Sequence, residues 1–368
     1  FFKQKTAYEL GVRLVGSEMC IRDSKGNGHA ENEAPVLSAI QAANELYRQG
    51  IRHPALGDGD EPFRYATVWQ IGTPDRGLDN QEAMSMNEEL WMSMIRSAVY
   101  LLEAFVLLWI AKAAYTGVYH KAQLKVELFE KGNVALAIST VGYLLGIVIA
   151  LGGILITPST GWQSDLTAIA LYGGCTIVLM LIASFLCEKI LLPQFNNTKE
   201  IVEDHNLGTA YVEAGLHIAN GLILLSIVQG SGAWWIGLVF WALAQVVLLI
   251  VGLLYEFTTT HKIHEELERD NAAVGLAFGG VLVGMGNIIR VAVAGDFVSW
   301  SQSLTLFAVE TVFGLIVLYV IKKLTDALLA PGVKLSQQQT AQPPNTSAGL
   351  LEAFGYVGGS MLVVWNIF

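Results

Sequence analysis

Eight apolar runs of roughly 20 residues, separated by short polar stretches, make up most of the chain beyond residue 90. A helix of about 20 apolar residues is long enough to cross a hydrocarbon core of about 30 Å. The runs cover approximately residues 95–117, 134–156, 166–187, 207–228, 234–255, 272–294, 302–321 and 347–368. This pattern predicts an all-α, polytopic membrane protein with eight transmembrane helices.

The composition agrees with a protein that lies in a lipid bilayer. Hydrophobic residues make up 53% of the chain and charged residues only 15%, and the mean hydropathy is +0.48. An ordinary soluble domain carries about a quarter of its residues as charged side chains. The formal net charge is −10, and no basic stripe follows the chain, so we expect no nucleic-acid partner.

The second half of the membrane region repeats the first. One constant shift in residue number, lengthened once by a single inserted residue, pairs Glu127 with Glu265, Asn133 with Asn271, Gly142 with Gly280, Gly146 with Gly284, Asn206 with Asn345, and Glu213 with Glu352. Each copy holds four spans, an even number, so both copies enter the bilayer in the same sense. The sequence predicts two parallel four-helix repeats, at 94–230 and 231–368, related by a pseudo-twofold axis along the membrane normal.

The residues before the first span do not resemble the repeats. Residues 1–24 resemble a translated sequencing adapter, and such a segment is excluded from reasoning about the fold. Residues 25–83 form a polar, turn-rich segment that we expect not to be native. The stretch that begins at Met84 reads as a natural start, so we predict that the native protein begins at Met84 or Met86.

The loops between spans carry opposite charge patterns on the two sides of the predicted membrane. The loops TPSTGWQSD, QGSGA and GDFVSWSQ contain no Lys or Arg. Short basic loops stay in the cytoplasm, which predicts a bacterial inner-membrane protein with cytoplasmic basic loops and both termini outward. The ten basic residues on the opposite side are Lys121, Lys125, Lys131, Lys189, Lys199, Lys262, Arg269, Lys322, Lys323 and Lys334.

Small and amide residues recur at matching positions in both copies. Gly142 and Gly146, repeated as Gly280 and Gly284, have the GxxxG spacing that lets helix backbones approach closely. We interpret them as packing residues at a contact between the repeats. The four asparagines at the start of spans are interpreted as N-caps, and the alternative is a ring of amides that binds an ion. These asparagines are Asn133, Asn206, Asn271 and Asn345.

Two acidic residues fall inside predicted spans in matching places. Glu213 and Glu352 each follow an Asn by seven residues, which puts them about 10 Å along the helix. A carboxyl at that depth is costly unless it is protonated, paired or hydrated. His217 and Asn220 share a helical face with Glu213. Proton or cation handling at these four residues competes with a buried hydrogen-bonded pair that only stabilises packing.

No arrangement typical of catalysis appears in the sequence. We find no nucleophile elbow, phosphate loop or dinucleotide fingerprint, so we expect no enzyme activity and no cofactor. His261 and His264 lie near Glu265, but the HExxH spacing is missing. A solvated linker helix is preferred there, and no metal site is predicted.

The repeat unit resembles a known family. The segments EKGNVALAISTVGYLLGIVIALGG and ERDNAAVGLAFGGVLVGMGN, with the later LCEKILLP and LTDALLAP, are similar to domain of unknown function 350. The resemblance covers residues 94–368 as two copies. It implies a bacterial inner-membrane protein built from four-helix units, and it supplies no binding residues.

Two functions of different classes follow from these observations. The first is movement of protons, cations or a small solute through a water-accessible site that Glu213 and Glu352 line together. The second is a non-catalytic scaffold or stress-response protein whose charged loops recruit a cytoplasmic partner, with both carboxyls in dry, paired contacts. Both functions are compatible with a homo-oligomer.

Overall fold

The structure is a computed structural model that describes residues 80–118, 123–191, 196, 198–230, 232–259 and 261–367. The prediction made for residues 1–24 lies outside these residues, and so does the one for 25–83 except for its last four residues, which begin the first helix. Within the described part of the chain, all long elements are α-helices. They are α1 (Asn80–Val118), α2 (Val134–Leu155), α3 (Trp162–Leu186), α4 (Leu207–Ile227), α5 (Trp234–Thr258), α6 (Ala272–Ala292), α7 (Trp300–Leu328) and α8 (Thr346–Ile367).

Each of these eight helices is long and apolar enough to cross a membrane, so the prediction of eight spans is confirmed. Several helices run beyond their apolar runs. Helix α7 continues to Leu328, well past the predicted end at 321. It continues because its last turns, KKLTDAL, contain good helix formers and no Gly or Pro. A helix also has no reason to stop at the membrane boundary.

The even-numbered helices form a row, in the order α2, α4, α6, α8, and each packs against the next. They run parallel, because successive contacts advance in the same direction along both helices: Gly142 meets Ala214, and Gly153 meets Leu225. The centre of the row is the core. In the most apolar stretch of each helix, the buried share is 83% for α6 and 72% for α4. The corresponding share for α1 is 17%.

Close packing along the row depends on glycine. A Cβ at Gly215 would lie 2.6 Å from the backbone of Gly279, and one at Gly275 would overlap the carbonyl oxygen of Gly208. Both approaches are far closer than van der Waals contact. Larger residues at these positions would therefore separate α4 from α6, the two helices that join the repeats.

The prediction that the GxxxG glycines form the contact between the repeats was wrong. Gly142 and Gly146 face α4, and Gly280 and Gly284 face α8, so each pair packs within its own repeat. The reason is geometric: each GxxxG surface faces the next inner helix of the row, and for α2 and α6 that neighbour belongs to the same repeat. The contact between the repeats is made instead by a second set of glycines, Gly208 and Gly215 on α4 and Gly275, Gly279 and Gly286 on α6.

A short helix and an asparagine precede every member of the row. The short helices, called lead-in helices below, are Val126–Glu130, Lys199–Glu203, Ile263–Glu268 and Leu335–Gln339. The residue before the asparagine lies in the left-handed region in three of the four cases, at Gly132, His205 and Asp270. This conformation commonly ends one helix, and here it turns the chain directly into the next.

Each of the two four-helix repeats therefore contains two copies of a smaller unit, a pair of helices. Each unit consists of an outer helix, a lead-in helix, an asparagine and an inner helix, and it occurs four times along the chain. The outer helices α3, α5 and α7 each pack against inner helices of the row. Large apolar side chains cover the exposed surface of α1, including Phe105 (60% exposed) and Trp109 (70% exposed), as expected of a surface that contacts lipid.

Candidate functional site: two buried carboxyl clusters

The side chains of Glu213 and Glu352 are both almost completely buried. Glu213, on α4, is 2% exposed, and Glu352, on α8, is 1% exposed. In each repeat a tyrosine from the first helix, Tyr115 or Tyr255, donates a hydrogen bond to the carboxylate, over 3.2 Å and 3.3 Å respectively. The duplication has therefore kept one carboxyl and one tyrosine together in each copy.

The first-repeat cluster surrounds Glu213 with groups that exchange protons or donate hydrogen bonds. Nε2 of His217 lies 3.5 Å from Oε1 of Glu213 and 3.4 Å from Oγ of Ser184 on α3. The Tyr115 hydroxyl also contacts the Ser139 hydroxyl on α2. A second tyrosine of α2 closes the cluster: its ring stacks on Tyr115 at 4.3 Å and meets His217 edge-on at 5.2 Å. This residue is Tyr143.

Four buried polar atoms in or beside this cluster have no hydrogen-bond partner among the described residues: Oγ1 of Thr140, the hydroxyl of Tyr143, Oγ1 of Thr209 and Nδ1 of His217. Thr140 lies one turn from Tyr143 on α2, and Thr209 lies one turn before Glu213 on α4. Buried polar groups are usually satisfied by protein or by ordered water. These four atoms therefore have hydrogen-bonding capacity that the described residues do not use, as does Oε1 of Gln339 in the second repeat.

The second-repeat cluster holds Glu352 with fixed donors. Nζ of Lys322 on α7 lies 2.9 Å from Oε1 of Glu352, and Nε2 of Gln339, in the lead-in helix, lies 2.5 Å from Oε2. With Tyr255, three donors reach this carboxylate. Lys322 is 8% exposed and Gln339 is fully buried. The contacts from α5, α7 and a lead-in helix hold Glu352 in one position.

The residues that differ between the clusters occupy matching positions. Ser184 stands where the second repeat has Lys322, and His217 stands where it has Tyr356. The prediction that Lys322 lies in a cytoplasmic loop was wrong, because α7 continues through this residue and buries it. The signal that reveals it is the constant shift between the repeats, which places Lys322 opposite a residue inside α3.

The two carboxyls do not line one interface, contrary to expectation. Helix α6 packs between α4 and α8, and the donors of the two clusters come from different helices. Asn220 was predicted to share a helical face with Glu213 and His217, but its partners lie on a different helix from theirs. Its Oδ1 accepts hydrogen bonds from Trp241 (3.2 Å) and Gln245 (2.8 Å) on α5, whereas His217 contacts side chains of α1, α2 and α3.

The asparagines cap inner helices and also join neighbouring units. The side-chain oxygens of Asn133, Asn206 and Asn271 accept from backbone amides in the first turn of α2, α4 and α6. Asn345, at the end of the row, accepts from the Ser347 amide. The amide groups of the first three donate to carbonyl oxygens of the following unit, at Ile201, Leu267 and Gln339. Both ends of these three buried amides are engaged in protein contacts and do not form an ion-binding ring.

Between α5 and α6, one of the two histidines pairs with a carboxylate. Nδ1 of His264 lies 3.2 Å from Glu256, and within the described residues no group of three His, Cys, Asp or Glu side chains is placed to hold a metal ion. His261 is separate from this pair, and burial lowers the pKa of its imidazole.

The eight spans and the repeated helix pairs define a multi-pass helical membrane protein with internal duplication. The chain belongs to the family described as Domain of Unknown Function (DUF350), whose model matches it twice, over residues 88–228 and 230–367. The two matches agree with the tandem arrangement, and the resemblance seen in the sequence is confirmed.

Two bacterial relatives are transmembrane proteins by name. The UPF0719 transmembrane protein of Aquifex aeolicus (strain VF5) is 22% identical over 262 residues, which cover 67% of this chain and 90% of that protein. The UPF0719 transmembrane protein YshE of Bacillus subtilis (strain 168) is 29% identical over 136 residues, 36% of this chain and 97% of that protein. The second match is about as long as one four-helix repeat. No solved structure matches the chain.

Proposed function

We propose that the protein moves protons through its first repeat, with Glu213 and His217 as the exchanging groups, and that Glu352 in the second repeat is a structural ion pair. The observation that carries the proposal is a line of buried polar side chains along α4. Thr209, Glu213 and His217 are each no more than 2% exposed and follow one another at intervals of four residues. Polar residues so placed in a span are functional candidates.

The chemistry of the pair suits proton exchange. Carboxyl and imidazole groups pass protons to each other through hydrogen bonds or one bound water, and Nε2 of His217 and Oε1 of Glu213 are 3.5 Å apart. Nδ1 of His217 and the hydroxyl of Thr209 have unused hydrogen-bonding capacity. Water at these atoms would extend the line in both directions along α4.

We place the asparagine ends of the inner helices in the cytoplasm of a bacterial cell, with the protein in the inner membrane. The loops at the other ends, around 157–161, 229–233 and 294–299, contain no Lys or Arg. In a chain whose native cysteines are replaced by serine, we expect Lys262→Cys to react with an impermeant maleimide in inverted vesicles and to be protected in intact spheroplasts. The opposite labelling pattern would reverse the topology.

The proposal is tested by proton flux in proteoliposomes that contain the full chain, driven by a potassium gradient with valinomycin. We expect Glu213→Gln to lower the flux on the order of tenfold or more, because the carboxyl no longer carries a proton. Glu103→Gln is the matched control, since Glu103 lies in α1, outside both clusters. Equal flux in the parent and in Glu213→Gln contradicts the proposal.

A second candidate function, a non-catalytic scaffold, is favoured by the second-repeat cluster, in which three donors hold Glu352. Exposed charges on and beside the lead-in helices, such as the Lys262 and Glu265 pair, would then contact a cytoplasmic protein. A folded parent protein without proton flux supports this alternative. Loss of partner binding on charge reversal at Lys262 and Glu265 would establish it.

A further inference from the structure

A cleft lies at the opposite ends of the helices from the asparagine caps, away from both carboxyl clusters. It has a volume of about 230 Å³ and is lined by α3, α5 and α7 and by the ends of α4 and α6. Its walls are mostly apolar, with Leu179 on α3, Leu224 near the end of α4, Phe240 on α5 and Phe297 just before α7. We call it the α3–α7 cleft.

The charges in the α3–α7 cleft are all negative. Glu310 and Asp296 line it, and no described Lys or Arg does so. Glu310 lies on α7 ten residues after Trp300, hence about 15 Å along the helix, within the part that crosses the membrane. No hydrogen bond or ion pair joins it to another described residue. A carboxyl at that depth without a partner is costly, and a bound cation would remove the cost.

Aromatic residues line the cleft and pack beside it: Phe240 and Phe297 line it, and Trp300 packs against both. The rings of Phe297 and Trp300 are 5.0 Å apart, those of Trp235 and Trp300 are 5.6 Å apart, and Phe240 stacks with Trp300 at 6.3 Å. Faces of aromatic rings attract organic cations. Apolar walls, a ring cluster and a single deep carboxyl therefore call for a ligand with an apolar body and a positive head.

We propose that the α3–α7 cleft binds an amphiphilic organic cation, with its ammonium group at Glu310 and its apolar chain against α3 and α5. The site is separate from the Glu213 cluster and does not depend on proton movement. A lipid acyl chain, which needs no cation site, is the occupant that the experiment must exclude.

Cys175 offers a reporter inside the cleft. It lines the cleft and its side chain is exposed. In a full-length chain that carries Cys20→Ser and Cys187→Ser, reconstituted in nanodiscs, we expect a maleimide to alkylate Cys175 and decyltrimethylammonium to protect it. Decanesulfonate has the same chain and the opposite charge, and we expect no protection from it. Equal protection by both amphiphiles, or a Cys175 that does not react in the absence of ligand, overturns the proposal.

The role of Glu310 is tested by binding of radiolabelled decyltrimethylammonium to the same nanodiscs, with protein-free nanodiscs subtracted. We expect Glu310→Gln to weaken binding at least about tenfold, the loss that a desolvated charge pair commonly causes. Glu103→Gln, a change at another intramembrane carboxyl outside the cleft, should bind as the parent does. Unchanged binding in Glu310→Gln would mean that the decyl group of the ligand accounts for binding without the carboxylate. That result refutes the cation site.

Discussion

The two repeats place a glutamate and a tyrosine in the same arrangement and then stabilise the carboxyl by different means. Around Glu352 the protein supplies Lys322 and Gln339. Around Glu213 it supplies His217 and hydroxyl groups. A carboxyl inside a membrane needs compensation, and the comparison shows that a lysine countercharge and a set of histidine and hydroxyl contacts both fit the same fold.

The difference is consistent with a functional role for the first repeat and a structural role for the second after the duplication. A lysine that forms a buried ion pair fixes the position of its carboxyl, whereas under the proposed function the imidazole and the carboxyl of the first repeat exchange a proton. One repeat is then free to carry the chemistry while the other strengthens the row of inner helices. The first repeat is the place to look for activity and the second the place to look for stability.

The largest expected effect lies in the second-repeat cluster. Lys322→Met leaves Glu352 buried without its countercharge, and loss of one partner of a buried pair costs about 3–5 kcal/mol. At the matching position, Ser184→Ala removes hydroxyl contacts worth about 1 kcal/mol. Unfolding in mixed detergent micelles measures both free energies.

A double change is the control for this comparison. Replacing both Lys322 and Glu352 by Met removes the ion pair without leaving a charge behind, so we expect most of the stability to return. Equal losses in Lys322→Met and Ser184→Ala would mean that the clusters do not differ in the way described.

An intermediate effect is expected at the contact between the repeats. In Gly215→Ala the new Cβ lies 2.6 Å from the Gly279 backbone, and overpacking of this kind costs about 1–3 kcal/mol. Gly174→Ala on α3 is the matched control, because nothing lies within 4 Å of its Cβ. That change should be neutral or slightly stabilising. The same unfolding assay measures the free energy of unfolding of both variants. Similar losses in Gly215→Ala and Gly174→Ala would contradict the close approach of α4 and α6.

The smallest effect concerns the asparagines. Asn206→Ala loses a helix cap and a hydrogen bond to the carbonyl of Leu267 in the next unit, which together should cost about 1–2 kcal/mol. Asn345 caps α8 at the end of the row, so Asn345→Ala should cost about 0.5–1 kcal/mol. If the two losses are equal in unfolding experiments, the bond between units contributes nothing.

The sequence predicted the spans and the repeats well because both leave a direct trace in it. Apolar runs of membrane-spanning length and a constant shift between matching residues need no knowledge of packing. The two-helix unit was missed, although an asparagine stands at the start of each of its four inner helices. The unit is revealed by the turn that precedes three of these asparagines and by their contacts with the next unit.

The candidate site could be predicted only in part. Burial of Glu213 and Glu352 followed from their depth in apolar runs. The identity of their partners did not, because Tyr115, Ser184 and Lys322 all lie on other helices, far along the chain from the carboxyl that their cluster holds. Contacts at such separation depend on which helices are neighbours. A single sequence does not contain that information.

By itself, the sequence determined an all-α membrane protein of eight spans, its duplication, and the presence of two costly intramembrane carboxyls. These properties depend on transfer of side chains between water and lipid, which is a local matter of composition and length. The tertiary structure alone decided that the inner helices form a row, that the carboxyls lie in separate clusters, and that Lys322 pairs with Glu352. These properties arise from packing between helices, where the fit of glycine surfaces selects neighbours and the neighbours select the partners of each buried charge.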